Sequence, residues 1–257
     1  MLFDTHMHTR FSTDSKMRIE EAVARGGELG IGITITEHMD ILYPKPEAFV
    51  FDVQAYFNEY QNFRSDRVLL GIEIGMRSDC LEENCRLVEK YPFDYVIGSV
   101  HVVNTIDLYT AAFYQGRSKE EAYRQYFKAM KECVASYDGI HSLGHIDYIA
   151  RYARFRDPEV YYNEFQDSID EVLTLLANKE KALEINTRRL GKKAVVEAIL
   201  PIYKRFYELG GRLVTIGSDA HQAKDIGRDL KVGLEIAERT NLKVVNFKGG
   251  SPQFYKE

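Results

Sequence analysis

The sequence predicts an α/β fold in which parallel strands are covered by helices. Three observations lead there: short apolar runs ending in polar residues recur, segments with helical spacing lie between them, and no Gly/Pro/Ser-rich linker divides the chain. The strand-like runs are Leu2–Thr5, Gly32–Thr36, Val68–Glu73, Phe93–Val100, Ile140–His145, Ala182–Asn186, Arg212–Ser218 and Lys243–Phe247. Between them, Val53, Tyr56, Phe57, Tyr60 and Phe63 recur at helical intervals, as do Phe165, Ile169, Val172, Leu173 and Leu176. Helix starts are expected at Asp79 with Glu82, at Ser118 with Glu121, and at Asp157 followed by Pro158. A stop is expected at Gly210-Gly211. The strands alone leave an open doubly wound sheet and a closed barrel equally available.

Composition narrows the function. With 257 residues, the chain suits one large domain over residues 1–257. Its 34 Lys+Arg against 39 Asp+Glu, a net charge of −5, argue against a protein built to grip phosphate backbones, so no nucleic-acid partner is expected. No apolar run approaches the roughly 20 residues of a membrane-spanning helix, and MLFDTHMH lacks a signal peptide's basic start and apolar core. A cytoplasmic protein without a membrane partner is therefore expected. Cys80, Cys85 and Cys133 form neither an even set nor a C-x-x-C pair and read as reduced thiols. Neither G-x-G-x-x-G nor G-x-x-x-x-G-K-[ST] occurs, which removes the usual sequence reason for a dinucleotide or nucleoside triphosphate site. The long aromatic connections around Asp40 to Phe51 and Val102 to Gly116 are expected to wall an active site.

The histidines carry the chemistry. Six of the seven fall at ends of the strand-like runs: His6 and His8 after the first, His38 after the second, His101 after the fourth, His145 after the fifth and His221 after the seventh. Glu73 ends the third run, and Asp219 precedes His221. Parallel strands gather these ends on one rim, which carries the active site in a β/α barrel and the ligand crevice in an open sheet. On extended chain, residues i and i+2 project to the same side, so H-x-H can direct two imidazoles at one cation. Imidazoles mixed with carboxylates suit Zn, Mn or Fe, and a bridging carboxylate such as Glu73 suits a multinuclear cluster. A lone histidine after a strand is usually structural, and His141, inside its run, is read that way. Asp4, Glu37 and Asp147 adjoin candidate ligands and serve either as ligands or as partners that orient an imidazole.

The ordered motifs DTHMH (Asp4 to His8) with STD (Ser12 to Asp14), TEH (Thr36 to His38), GIE (Gly71 to Glu73), GSVH (Gly98 to His101), GHID (Gly144 to Asp147) and GSDAH (Gly217 to His221) resemble the polymerase and histidinol phosphatase (PHP) superfamily. Within it, the chain looks like the monofunctional histidinol-phosphate phosphatases, over essentially its whole length. The resemblance implies a distorted (β/α)7 TIM-like barrel holding three divalent metal ions, Zn, Mn or Fe. Carried over by motif, His6, His8, Glu73 and Asp219 would hold one ion, Glu73, His101 and His145 a second, and Asp14, His38 and His221 the third. Asp14 stands where some relatives carry a histidine, a departure that matches the histidinol-phosphatase branch. The segments DYIARY (Asp147 to Tyr152) and EINTRRL (Glu184 to Leu190) look like those that bring phosphate-binding arginines to the metals in this family. They imply substrate-binding roles for Arg151, Arg188 and Arg189.

These residues together predict metal-assisted hydrolysis of a small phosphomonoester, with Glu73, Asp219 and His221 as catalytic groups and the arginine forks on the phosphate oxygens. The resemblance makes L-histidinol phosphate, an intermediate of histidine biosynthesis, the expected substrate. Residues near Asp40, Tyr43, Asp107, Tyr109, Phe113 and Tyr114 suit an imidazole and an ammonium, and equally other polar esters. Other readings are a PHP phosphoesterase acting on a nucleotide, a nucleic-acid end or a phosphotyrosine, an amidohydrolase, and a noncatalytic metal-binding protein. The amidohydrolase would need a lysine at a strand end, and none is placed so. Monomer and homodimer are both open.

Overall fold

A computed structural model of the chain describes residues 1–256. In order, its first half comprises β1 (Phe3–Asp4), α1 (Ile19–Leu29), β2 (Gly32–Met39), α2 (Val53–Tyr60), β3 (Val68–Gly75), α3 (Leu81–Lys90), β4 (Tyr95–Ser99), β5 (Val102–Val103), β6 (Ile106–Asp107) and α4 (Lys119–Ser136). The second half comprises β7 (Ser142–Leu143), α5 (Ile149–Tyr152), α6 (Gln166–Asn178), β8 (Ala182–Asn186), α7 (Lys193–Glu208), β9 (Leu213–Gly217), α8 (Leu230–Arg239), β10 (Lys243–Lys248) and β11 (Ser251–Phe254).

The main sheet runs β1-β2-β3-β4-β7-β8-β9-β10-β11, parallel throughout except for the final β10–β11 hairpin. It closes into a barrel because the upper half of β9 also meets β1. Thr5 N–H donates to Ile216 O at 2.9 Å, Asp219 N–H to His6 O at 2.8 Å, and His8 N–H to Ala220 O at 2.8 Å. The lower half of β9 pairs instead with β10, at Leu213 and Val214. The ring therefore has β1, β2, β3, β4, β7, β8 and β9 as members, and the eighth strand-like run lies outside it. This fork is the distortion of the α/β barrel.

The β10–β11 hairpin lies against the end of the barrel where the strands begin. Gly250 N–H donates to Asp94 O at 3.0 Å, and Phe247 stacks on Tyr95 with centroids 5.4 Å apart. Tyr95, Ile97, Ala182, Val245 and Phe247 form a small apolar cluster, separate from the large one that the helices complete outside the strands. The Tyr95 hydroxyl, buried beside it, is satisfied by Ser142 Oγ and by Thr215 Oγ1 at 2.9 Å. His141 belongs to this end as well: its Nδ1 accepts from Val96 N–H at 2.9 Å, and its ring stacks on Phe247 at 4.9 Å. It is far from the rim in chain direction, in agreement with a structural role.

Helix boundaries follow local chemistry where nothing competes with it. Ser118 and Glu121 form the expected reciprocal cap of α4, with Glu121 N–H on Ser118 Oγ at 3.2 Å and Ser118 N–H on Glu121 Oε2 at 2.8 Å. Gly210, at φ +98°, ends α7 and lets Gly211 N–H reach Phe206 O at 2.8 Å. Two expected starts are corrected. Asp79 pairs with Arg77, and α3 begins only after a single 3₁₀ turn at Ser78–Cys80. Asp157-Pro158 opens no helix: Asp157 caps a local turn onto Glu159 N–H at 3.2 Å, Pro158 O takes the Tyr123 hydroxyl, and α6 starts at Gln166. Local partners claim both aspartates, and at Pro158 the Tyr123 hydroxyl adds a tertiary one.

Among the described residues no helix is long and apolar enough to cross a membrane. Cys80, Cys85 and Cys133 are free thiols, as expected.

Candidate metal centre and active site

All six rim histidines and their carboxylates converge at the C-terminal ends of the strands. Glu73, at the end of β3 and wholly buried, is the centre. Its Oε1 lies 2.8 Å from His145 Nε2, 3.3 Å from His101 Nε2 and 2.7 Å from Ser99 Oγ. Its Oε2 lies 2.8 Å from His38 Nδ1, 3.3 Å from His6 Nε2 and 3.5 Å from His8 Nε2. Asp219 Oδ1 stands 3.5 Å from His8 Nε2, and Asp14 Oδ2 stands 3.0 Å from His221 Nε2 and 3.8 Å from His38 Nε2.

Donor atoms within 4.8 Å of one another form the triplets His6/His8/Glu73, Glu73/His101/His145 and His8/His38/His221. The first two coincide with the expected ligand sets for two ions, Asp219 adjoining the first. The third overlaps the expected set at His38 and His221, with Asp14 beside both. Two further triplets include Glu184 (with His6 and His145) and Asp40 (with His38 and His101).

Hydrogen bonding around the cluster supports cations there. His6 Nδ1 lies 2.6 Å from Glu184 Oε1, so the carboxylate takes the Nδ1 proton and His6 Nε2 presents a lone pair. Ser12 Oγ donates to Glu37 Oε2 at 2.6 Å and accepts from His38 N–H at 3.0 Å. It can therefore only accept from His8 Nδ1, 3.2 Å away, which leaves His8 Nε2 with a lone pair too. These two Nε2 atoms face each other at 3.1 Å. Likewise, His101 Nδ1–H points at Asp40 Oδ1 at 2.8 Å and turns its Nε2 lone pair toward Glu73. Lone pairs aimed at one another and at a carboxylate repel unless a proton or a metal cation lies between them. Although Glu73 Oε2 and His38 Nδ1 lie 2.8 Å apart, neither makes a hydrogen bond, and Asp40 Oδ2 is likewise buried without one. The donor set, imidazole nitrogen and carboxylate oxygen without thiolate, fits divalent Zn, Mn or Fe.

Electrostatics point the same way. Burial alone would raise the Glu73 pKa, but His6, His101 and His38 hold it well below the usual carboxylate range. Burial would lower His6, yet Glu184, Glu73 and Asp219 lift it well above its ordinary value. A cluster this acidic draws in positive charge, and metal ions compete with protons for the same nitrogens.

Local backbone makes the crowding possible. Asp219 takes a left-handed conformation, φ +54°, that turns its side chain back beside His8. At Gly217 a Cβ would sit 2.3 Å from His6 Cβ and 2.6 Å from Glu184 Oε1, so only glycine lets β9 pass this close to the histidine.

Two of the three arginines reach the cavity above this cluster. Arg151 donates to Asp219 Oδ2 at 2.5 Å and Asn186 Oδ1 at 2.9 Å, while its Nε has no partner. Arg188 Nη1 lies 3.2 Å from Asp219 O and Oδ1 and 3.3 Å from His221 Nδ1. Both line a cavity of about 630 Å³, together with His38, His101, His145 and Asp219. Arg189 is not brought there: it clasps Asp147 Oδ2 at 2.9 Å and Glu159 Oε1 at 2.5 Å, which corrects its expected place in a substrate site. Asp4 and Glu37 bind no imidazole directly. Asp4 accepts from Ser218 N–H and Gly227 N–H, both at 2.8 Å, and Glu37 holds Thr9 and Ser12. The true imidazole partners are Glu184 and Asp40, roles that the sequence reading did not give them.

Fold and site together define a metal-dependent α/β-barrel hydrolase scaffold, and the chain belongs to the PHP-domain family, whose model matches residues 4–188. It is 53% identical over 248 residues to a Clostridium acetobutylicum protein named "Probable histidinol-phosphatase", covering 96% of this chain and 97% of that one. It is 35% identical to the histidinol-phosphatase of Lactococcus lactis over 86% of this chain and 84% of the relative. The crystal structure of the Lactococcus lactis histidinol phosphate phosphatase in complex with zinc, L-histidinol and phosphate superposes with a TM-score of 0.93 at 31% identity, covering 98% of both chains.

Proposed function

We infer that this chain is a metal-dependent histidinol-phosphatase, hydrolysing L-histidinol phosphate to L-histidinol and inorganic phosphate. The observation that carries the reading is the histidine and carboxylate cluster around Glu73, roofed by Arg151 and Arg188, in a barrel that superposes end to end on a phosphatase solved with zinc, L-histidinol and phosphate. His6, His8, Asp14, His38, Glu73, His101, His145, Asp219 and His221 would hold the metal ions. When bound, these supply Lewis-acid charge for the phosphoryl oxygens and acidify water toward neutral pH.

The rest follows from the chain's own groups. Arg151 and Arg188 place their forks on the non-bridging oxygens and offset the charge that grows there in the transition state. Asp219 fixes both guanidinium groups, so the phosphate meets a preformed pair. Glu184 and Asp40 hold His6 and His101 in the tautomer that leaves Nε2 free. The Asp219–His221 pair stands beside Arg188 at the cavity wall, where a water held by one of the two would give up the proton that the departing alkoxide requires. We read residues 1–257 as one catalytic unit that acts in the cytoplasm, as monomer or homodimer, on a small phosphorylated substrate. The net charge of −5 supports such a ligand over a nucleic-acid strand.

Phosphate release from L-histidinol phosphate, compared with p-nitrophenyl phosphate and a set of nucleotides, tests the reading. Better turnover of a nucleotide would leave the centre in place and replace the substrate.

A further inference from the structure

The metal centre occupies the ends of the strands and leaves the opposite end of the barrel without a role. There a second cavity, of about 570 Å³, opens between the starts of β7, β8 and β9 and the β10–β11 hairpin. Its charge is one-sided. Lys179, Lys181 and Arg212 line it, with Glu180 as the one carboxylate. Lys179 pairs with Asp138 at 2.7 Å. Among the described residues, no carboxylate lies within salt-bridge distance of Lys181 or Arg212. Lys181 Nζ donates to Asp138 O at 2.7 Å, and Arg212 Nη1 donates to Gly211 O at 2.7 Å and Tyr207 O at 3.0 Å, its guanidinium lying over the Tyr207 ring. Burial lowers the Lys181 pKa below the ordinary lysine value, which fits an ammonium short of negative charge.

His141 supplies a third donor. Its Nδ1 accepts from Val96 N–H, and burial keeps the ring neutral at neutral pH, so the ring proton sits on Nε2. Among the described residues Nε2 has no hydrogen-bond partner, and it lies beside Gly250, where a Cβ would come within 3.3 Å of it. The fold uses one nitrogen of this ring and leaves the other to the cavity. The three donors also form a row. His141, Lys181 and Arg212 each immediately precede a strand, and the register pairs Ser142 with Ala182 and Leu183 with Val214. This sets the three side by side at the roughly 4.8 Å spacing of neighbouring strands, a row roughly 10 Å long. A single small ion cannot span it, whereas a molecule with two separated oxyanion groups can.

We propose that this end of the barrel binds a small organic anion with two oxyanion groups, carboxylate or phosphate, held by His141, Lys181 and Arg212. The ammonium and the guanidinium give charge-assisted hydrogen bonds, and the neutral imidazole N–H adds a third, directed one. The site shares no residue with the metal centre or the cavity above it. It therefore goes beyond the phosphatase reading and stands or falls independently of it.

The experiment titrates zinc-loaded protein with succinate and with 3-phosphonopropionate, a dicarboxylate and its non-hydrolysable phosphonate counterpart, and follows the ring signal of His141 by NMR of histidine-labelled protein. That signal, assigned by its loss in His141→Asn, reads the bottom of the barrel separately from the metal centre. A saturable shift is expected, and the tighter of the two probes tells a carboxylate ligand from a phosphate one. Lys181→Met and Arg212→Met keep the apolar stems and remove the charges. Each is expected to weaken binding about 10-fold or more while phosphate release from L-histidinol phosphate stays unchanged. If one variant does not fold, the other carries the comparison. No saturable shift with either probe, a shift no larger than acetate gives at equal ionic strength, or undiminished affinity in the folded variants overturns the proposal.

Discussion

His6 Nδ1 and Glu184 Oε1 lie 2.6 Å apart, both wholly buried, and this contact sets which nitrogen of His6 faces the cluster. Glu184 also accepts from His145 N–H at 2.6 Å, so one carboxylate positions residues of two ligand triplets. Glu184→Gln keeps the size and loses the charge. Metal affinity is expected to fall about 10- to 100-fold, read by titrating Zn or Mn into metal-depleted protein and measuring bound metal. Unchanged affinity would show that Glu184 does not orient His6.

Glu73 reaches five imidazoles, so its removal should disable the whole cluster rather than one site. For Glu73→Ala, and for His8→Ala, turnover is expected to drop at least about 100-fold with metal content reduced in a folded protein. Near-normal turnover in the variant after metal depletion would contradict the metal-centred account.

Much of this centre is legible in the sequence, because its ligands occur in short motifs at strand ends and a parallel barrel brings strand ends together. His6, His8, Glu73, His101 and His145 follow from that rule alone. Glu184 and Asp40 orient imidazoles through hydrogen bonds across the barrel, and spacing along the chain does not announce that role. The signal for Glu184 is alternation within Ala182–Asn186, which places it on the face of β8 shared with Asn186, whose amide lies 3.3 Å from it. Asp79 and Asp157 read as helix caps because capping is local, and the structure spends them on Arg77 and on a turn that presents Glu159 to Arg189. The β10–β11 hairpin escapes for another reason: nothing in KVVNF shows that β9 will fork between two neighbours.

The neighbours Arg188 and Arg189 are expected to separate in their effects. Arg188 faces the cavity, so Arg188→Ala should lower kcat/KM about 100-fold with little change in melting temperature. Arg189 holds two carboxylates away from it, so Arg189→Ala should cost about 1 to 3 kcal/mol of stability and leave KM unaltered. Steady-state kinetics and thermal unfolding of both variants decide, and a KM effect at Arg189 would reverse their roles.

His141 gives a pH dependence of stability. Burial, then the Lys181 charge, depresses its pKa from the ordinary 6.5 to about 4. Above pH about 6.5 it is neutral in folded and unfolded chains alike. As pH falls from there toward 4, the unfolded chain gains a proton that the folded chain refuses, so stability declines through this window by about 2 to 3 kcal/mol and then levels. His141→Asn should flatten that part of the curve relative to the unmodified protein, as measured by urea unfolding across pH. Parallel curves would contradict the assignment.

The most direct test of the central claim is phosphate release by metal-depleted protein reconstituted with Zn or Mn. L-Histidinol phosphate should be hydrolysed with kcat/KM above about 10⁴ M⁻¹ s⁻¹, well ahead of p-nitrophenyl phosphate and the nucleotides, and chelation should abolish the activity. Full activity in the chelated protein, or no ester hydrolysis with the metals bound, would contradict it.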